Sequence, residues 1–289
     1  MLKTVLVPLT GTASDKTILE NAYLLAQPFG SHMQCLYVRL DPRDMITGTA
    51  SIGIGMPLIT PELWTAIEGD EKARQTSARS TFDAFCAQNG VSETDVPINT
   101  NAVTAAWHEV TGDAVNRIVQ FARTAELIVL ARDAYPARSV DQIGDVLLRS
   151  GRAVILAPRA VPSTFGSTIT IAWKSTPEAA RALTAAMPLL LKASKVVILS
   201  AEEGHGDGTT VESAARLGDA LRWNGIDSQV HRIPQAPDAS REILKAVTET
   251  GADLLVMGAY SHSRARELIL GGLTRRALQD PTLSVLLCH

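Results

Sequence analysis

An internal duplication limits the folds open to this 289-residue chain more than any other feature of its sequence. Residues 113–130 and 238–257 repeat one pattern, in which an Asp suited to capping a helix N-terminus begins an amphipathic run and a short apolar run follows. Each copy closes with a further apolar run, at 152–158 and 283–288. Helical and strand-like runs that alternate in this way predict a parallel sheet covered on both faces in each copy.

The two copies also begin alike, with an apolar run that a helical pattern follows. The first copy starts with residues 4–9 and a helix at about 15–27, and the second starts with residues 168–173. Right-handed crossovers then favour two tandem, doubly wound, Rossmann-like α/β domains with five-stranded parallel sheets. In the second copy the pattern predicts strands at 169–173, 195–200, 228–233, 253–258 and 284–288, and helices at 177–191, 210–224, 239–250 and 272–279.

The predicted domains span residues 1–159 and 168–289, and the Pro- and Gly-containing segment 160–167 reads as the linker between them. The final strands of the two copies, 153–157 and 284–288, are candidates for the contact between the domains, because the edges of a sheet need covering. The first copy also carries an extra segment, 41–71, rich in Gly, Pro, Thr and Ile. We expect this segment to be a flexible flap or an interface segment.

Composition excludes several classes of function. A net charge of −3 and an aromatic content of 4% argue against a general nucleic-acid binder. Cys35, Cys86 and Cys288 form no Cys-x-x-Cys pair, which favours buried reduced thiols over a disulfide framework or a metal site. Neither a signal peptide nor an apolar run of the roughly 18–20 residues that span a membrane is visible, so a cytoplasmic protein is the expectation.

Ligands of doubly wound sheets bind beyond the carboxyl ends of the strands, near the point where the strand order reverses. In the second copy this rule selects the loops 173–176 and 258–274. The second loop runs from Gly258 to the pair Gly271 and Gly272, which opens a short helix. Helix starts offer unpaired N–H groups and a partial positive charge, so this arrangement is typical of an anion site.

The loop reads Gly258-x2-Ser261-x9-Gly271-Gly272, which resembles the Gly-x2-Gly-x9-Gly-Ser/Thr signature of the universal stress protein family. The spacing is kept and two of the four positions match. The resemblance covers essentially the whole chain, as two family domains in series. It implies a stress-response or signalling protein whose paired domains mimic the homodimer of single-domain relatives. Homodimers of the whole chain and protein partners are further expectations from the resemblance.

The resemblance also implies a ligand and its site. It implies that ATP or AMP binds in the second copy, with Mg accompanying ATP, and it implies neither a dedicated catalyst nor a catalytic residue, so that slow ATP hydrolysis is the most to expect. The implied binding residues are Ala172, Trp173, Lys174, Ser175, Gly258, Ser261, His262, Ser263, Arg264, Gly271, Gly272 and Thr274.

The sequence departs from the family pattern at several of these positions. Ser261 stands where the family has a glycine, and Gly272 stands where it has a hydroxyl residue, although Thr274 is close in sequence. The acidic residue that many ATP-binding members carry after the first strand is Thr10 in the first copy and Lys174 in the second. The first copy has lost the glycine signature, so no ATP is expected there.

Three other interpretations stay open. Arg264 has a structural explanation, because it can pair with Glu267 on a helix face, and His262 has no acid partner that would make it a base. The chain is alternatively an interaction module that binds a protein or a lipid and no nucleotide. It is alternatively an enzyme of adenylate chemistry, against which the absence of a Ser-Gly-Gly loop after either first strand counts.

Overall fold

The computed structural model describes residues 2–40, 60–98, 100–132, 139–201, 209–259 and 272–289. Within these ranges the chain forms eleven strands and eight α-helices. The strands are β1 (Thr4–Leu9), β2 (His32–Arg39), β3 (Ser92–Glu93), β4 (Thr104–Thr111), β5 (Leu127–Ala131), β6 (Ala153–Ala157), β7 (Thr168–Ala172), β8 (Lys195–Ala201), β9 (Ser228–Ile233), β10 (Leu254–Gly258) and β11 (Ser284–Cys288). The helices are α1 (Ser14–Ala26), α2 (Pro61–Asn89), α3 (Ala114–Ala122), α4 (Ser139–Ser150), α5 (Pro177–Leu190), α6 (Thr209–Arg222), α7 (Ala239–Thr250) and α8 (Gly272–Gln279).

The eleven strands form one sheet in the order β3-β4-β2-β1-β5-β6-β11-β10-β7-β8-β9. Neighbouring strands run parallel except at the centre, where β6 and β11 pair antiparallel with Ile155 opposite Leu286. We call β1–β6 with their helices the first half and β7–β11 with theirs the second half. The predicted α/β fold with two parallel, doubly wound halves is confirmed, and so is the predicted contact between the final strands. The second half has the predicted five strands, whereas the first half has six because the two-residue strand β3 extends its edge.

The central strands are apolar throughout because both of their faces are covered. Every residue of β6 and of β11 is buried, as expected for strands packed between two layers of helices. On one face Ile155 and Leu286 belong to the same apolar core, and on the other face Val154 and Leu287 do. Each core therefore continues from one half into the other across the antiparallel junction.

Local capping sets the helix starts that the sequence indicated. The Asp113 side chain accepts a hydrogen bond from the Asn116 backbone N–H at 2.8 Å, and the Asp238 side chain accepts one from the Arg241 backbone N–H at 3.1 Å. Every helix and strand predicted for the second half is present, with its ends displaced by at most two residues. Between β6 and β7 the predicted linker contains neither helix nor strand.

Part of the extra segment of the first half is a helix. The segment 41–71 was predicted to be a flexible flap or an interface segment, but α2 begins at Pro61, so residues 61–71 are helical. Proline is suited to the first turn of a helix, and a polar, exposed helix lacks the strong apolar period that would have revealed it. Residues 41–59 lie outside the described part of the chain.

The helix α2 is held by its last turns rather than by its first ones. The side chain of Phe82 in this helix is fully buried, and the Arg79 guanidinium makes two hydrogen bonds with the Glu93 carboxylate, at 2.9 and 2.8 Å.

No helix in the described ranges, α2 included, is both long and apolar enough to cross a membrane. The three cysteines are free thiols, as predicted, although Cys86 is only half buried.

Candidate functional site

The site predicted from the strand order falls at the carboxyl ends of β7 and β10. These two strands are neighbours, with Met257 opposite Ala172, and the chain leaves them toward opposite edges of the sheet. The loop after β7 and the end of β10 at Gly258 therefore meet at a point where the strand order reverses. Ala172, Trp173 and Gly258, three of the predicted site residues, are brought together here.

Hydrogen bonds at both ends fix the loop after β7. The Trp173 indole Nε1 donates to the Ser213 Oγ of α6 at 2.9 Å, and the Trp173 backbone N–H donates to the Leu199 carbonyl at 2.9 Å. At the other end the Thr176 hydroxyl accepts from the Ala179 N–H at 3.3 Å and caps α5. Lys174 and Ser175 lie between these anchors and are exposed, so the loop carries a cation and a hydroxyl at this edge of the sheet.

Gly258 has a packing role that the sequence interpretation did not include. A Cβ at Gly258 would lie 2.6 Å from the Ala179 backbone nitrogen and 2.9 Å from the Glu178 carbonyl carbon. The first turn of α5 thus rests directly on the end of β10, and only glycine leaves room for it. The carboxylate of Glu178 is 3.9 Å from Arg181 on the same helix, so the two charges of this turn face each other.

The start of α8 is held against the start of α7. A Cβ at Gly272 would lie 2.9 Å from the Ser240 Oγ, and the Arg276 guanidinium is 2.6 Å from the carboxylate of Asp238, the cap of α7. Thr274 is only 4% exposed. Arg276 is therefore engaged by α7, and Thr274 is packed into the protein rather than displayed at its surface.

The described structure contains seven of the twelve predicted site residues. The other five, Ser261, His262, Ser263, Arg264 and Gly271, lie outside the described ranges. The role of all twelve in holding a nucleotide stays a prediction.

A carboxylate that sequence reasoning missed closes the corresponding loop of the first half. The backbone N–H groups of Thr10 and Gly11 donate to the Asp15 carboxylate at 2.9 and 2.7 Å, and the Thr10 hydroxyl donates at 3.0 Å. Asp15 is 1% exposed, and burial raises the pKa of its carboxyl although the hydrogen bonds oppose that shift. The one signal in the sequence was an acidic residue in the first turn of a helix.

The second half also carries an acidic residue at the start of the corresponding helix. Asp15 is the second residue of α1, and Glu178 is the second residue of α5. Both helices that follow the first strand of their half therefore have a carboxylate in their first turn. In the first half this carboxylate accepts the loop N–H groups of Thr10 and Gly11.

Comparison with known proteins gives a family match for the second half and fold matches for the whole chain. Residues 174–289 match the model of the Universal stress protein family. A solved universal stress protein from Archaeoglobus fulgidus DSM 4304 is 15% identical, with 99% of this chain and 97% of that chain aligned at a TM-score of 0.67. A protein of Pseudomonas aeruginosa UCBPP-PA14, described as a candidate universal stress protein, is 15% identical over 99% and 93% of the two chains at a TM-score of 0.59.

These two likenesses show that the fold of the whole chain, both halves included, is one that known proteins adopt. A solved universal stress protein in complex with cAMP covers 55% of this chain at a TM-score of 0.31, which is too low to support an inference about ligands. No curated protein matches this sequence.

Proposed function

We propose that this chain, whose residues 174–289 belong to the universal stress protein family, is a stress-response protein that binds ATP or AMP as a regulatory ligand in its second half. The observation that carries the proposal is the exposed loop at Lys174 and Ser175, beside the end of β10 at the point where the strand order reverses. The ligand lies there with its phosphates toward Lys174.

The electrostatics of this edge of the sheet support an anionic ligand. The helices α5 and α7 begin at this edge, because each follows a strand that ends there. The helix α8 leads back to the start of β11, which runs parallel to its neighbour β10, so α8 also begins at this edge. Their N-termini add partial positive charge to that of Lys174. The first half, closed by Asp15, is the internal contrast and binds no nucleotide.

The test begins with the ligand that the purified full-length protein retains. Denaturing the protein and analysing the released small molecules by mass spectrometry is expected to show ATP or AMP. Calorimetric titration with ATP and with AMP then compares the natural protein with Lys174→Glu and Gly271→Asp. Lys192→Glu, an exposed charge reversal at the far end of α5, is the matched control.

Reversing a charge near the phosphates is expected to weaken ATP binding about tenfold, which corresponds to about 1.4 kcal/mol. The Lys192→Glu control is expected to bind like the natural protein. No released nucleotide together with no heat on adding ATP would overturn the proposal, and so would equal affinity in the Lys174→Glu and Lys192→Glu variants.

A second candidate function is an interaction module that binds no nucleotide. The observation that favours it is the engagement of Gly258 and Gly272 in helix packing and the burial of Thr274, since these roles account for the three residues without a ligand. Absence of nucleotide in both measurements would support it. Release of inorganic phosphate from added ATP and Mg would instead identify a weak ATPase, and its absence alongside tight binding agrees with a regulatory ligand.

A further inference from the structure

A separate crevice of about 430 Å³ lies in the first half, between α1 and the carboxyl ends of β5 and β6. Thr17 and Ile18 of α1 form one wall, Ala131 and Ala157 at the strand ends form the floor, and Arg159 lies at the same edge. We propose that this crevice binds a small organic monoanion, meaning a compact apolar molecule that carries one sulfonate, carboxylate or phosphate-ester group.

The space exists because one residue differs between the halves. Ala131 pairs with Ala157 as Gly258 pairs with Cys288, so Ala131 and Gly258 are equivalent positions. At Gly258 the first turn of α5 occupies the place of a Cβ, whereas Ala131 carries that Cβ. The helix of the first half cannot approach its strand as closely, and the crevice lies along this contact.

The walls are suited to an apolar body. Ile18 and Ala157 are almost fully buried within the apolar core of the protein, and Pro158 beside them is buried as well. The volume falls within the range of about 300–1,000 Å³ that is typical of small-molecule sites. Burying the apolar part of a ligand against these residues supplies the non-directional part of its binding energy.

The charges near the crevice favour a single negative group. Two arginines, Arg132 and Arg159, line it, and none of the described lining residues is acidic. The guanidinium of Arg132 donates to backbone carbonyls of the second half. Burial opposes a lowered pKa of the nearby Asp280 carboxyl, but the hydrogen bonds from Thr282 and, to a smaller extent, the charge of Arg132 lower it, so Asp280 balances part of the Arg132 charge. Arg159, which is exposed at the edge of the crevice, carries the second positive charge.

The probe is 8-anilinonaphthalene-1-sulfonate, an apolar body with one anionic group, titrated by fluorescence into the full-length protein. N-phenyl-1-naphthylamine, which has a similar body and no charge, is the neutral comparison. Two variants fill the crevice, Thr17→Phe and Ala13→Phe, and Arg159→Gln removes the charge at its edge. Lys16→Gln is the matched control, because it removes one exposed charge from the same helix outside the crevice.

We expect one saturable sulfonate site in the natural protein and in Lys16→Gln, and loss of that site in both filling variants. In Arg159→Gln we expect about fivefold weaker binding of the sulfonate and unchanged binding of the neutral probe. Circular dichroism confirms that each variant is folded, and either filling variant alone suffices for the test. Sulfonate binding that persists in a folded filling variant would overturn the proposal, as would equal affinity in Arg159→Gln and Lys16→Gln.

Saturating ATP is expected not to displace the sulfonate probe, because the two sites lie in different halves. The result is independent of the proposed function, since the sulfonate site is expected whether or not ATP binds the second half. Displacement of the probe by ATP would place both molecules in one site and overturn the assignment of a separate crevice.

Discussion

Replacing Arg132 with methionine removes the guanidinium through which the first half holds the end of α8 in the second half. Arg132 is 9% exposed, and its Nη1 donates to the Ala277 carbonyl at 2.9 Å and to the Leu278 carbonyl at 2.7 Å. Its Nη2 donates to the Leu283 carbonyl. Ala277 and Leu278 are among the last four residues of α8, whose carbonyls have no partner within the helix.

The expected cost follows from these three acceptors. Leaving a buried carbonyl without a donor costs about 1 kcal/mol or more, so Arg132→Met is expected to lower the free energy of unfolding by about 3 kcal/mol. Arg132→Lys retains the favourable charge at a helix C-terminus but not the forked geometry, and a loss of about 1–2 kcal/mol is expected.

Urea unfolding followed by circular dichroism measures these differences in the full-length protein. Arg152→Met is the matched control, because the Arg152 guanidinium donates an exposed hydrogen bond to the Arg123 carbonyl at 2.8 Å within the first half. The control is expected to lose less than about 1 kcal/mol. If Arg132→Met were no more destabilising than Arg152→Met, the reasoning that Arg132 fastens the two halves would be wrong.

Two further predictions concern single residues. Gly258→Ala places a Cβ 2.6 Å from the Ala179 nitrogen and is expected to lower the free energy of unfolding by about 1–3 kcal/mol in the same urea assay. Gly69→Ala is the control, because a Cβ on this exposed helix has no atom within 4 Å, and it is expected to raise the free energy of unfolding by about 0.5–1 kcal/mol. Equal effects of the two would refute the packing role of Gly258. Burial raises the pKa of Asp15 above its value in the unfolded chain. The stability of the natural protein relative to Asp15→Asn is therefore expected to be greatest in acid and to fall as the pH rises through the folded pKa. Urea unfolding between pH 3 and pH 7 measures this difference. A difference between the two proteins that grows with pH would contradict this sign.

The elements of this fold were predictable where local physics decides them. Asp113 and Asp238 indicate helix starts, because an acidic side chain can accept hydrogen bonds from the first N–H groups of a helix without any tertiary contact. The apolar runs of β6 and β11 identify strands buried on both faces, and the need to cover a sheet edge suggested that they meet. Each of these signals is contained within a few consecutive residues.

The features that escaped prediction depend on contacts between distant segments. Gly258 was predicted only as a nucleotide-binding residue, but a Cβ there would meet the first turn of α5, about 80 residues earlier in the chain. Arg132 follows a strand and carries no local sign that it caps a helix of the other half. Asp15 is a common residue in a first helical turn, and its burial against the Thr10 loop depends on tertiary packing.

The central claim, that a nucleotide binds the second half and not the first, is tested most directly by mapping backbone amide chemical shifts during an ATP titration. The account predicts changes at Lys174, Ser175 and Gly258 that saturate together, with the amides of Thr10 and Gly11 unchanged because Asp15 already holds them. Changes at Thr10 and Gly11, or no changes anywhere at saturating ATP, would contradict the account.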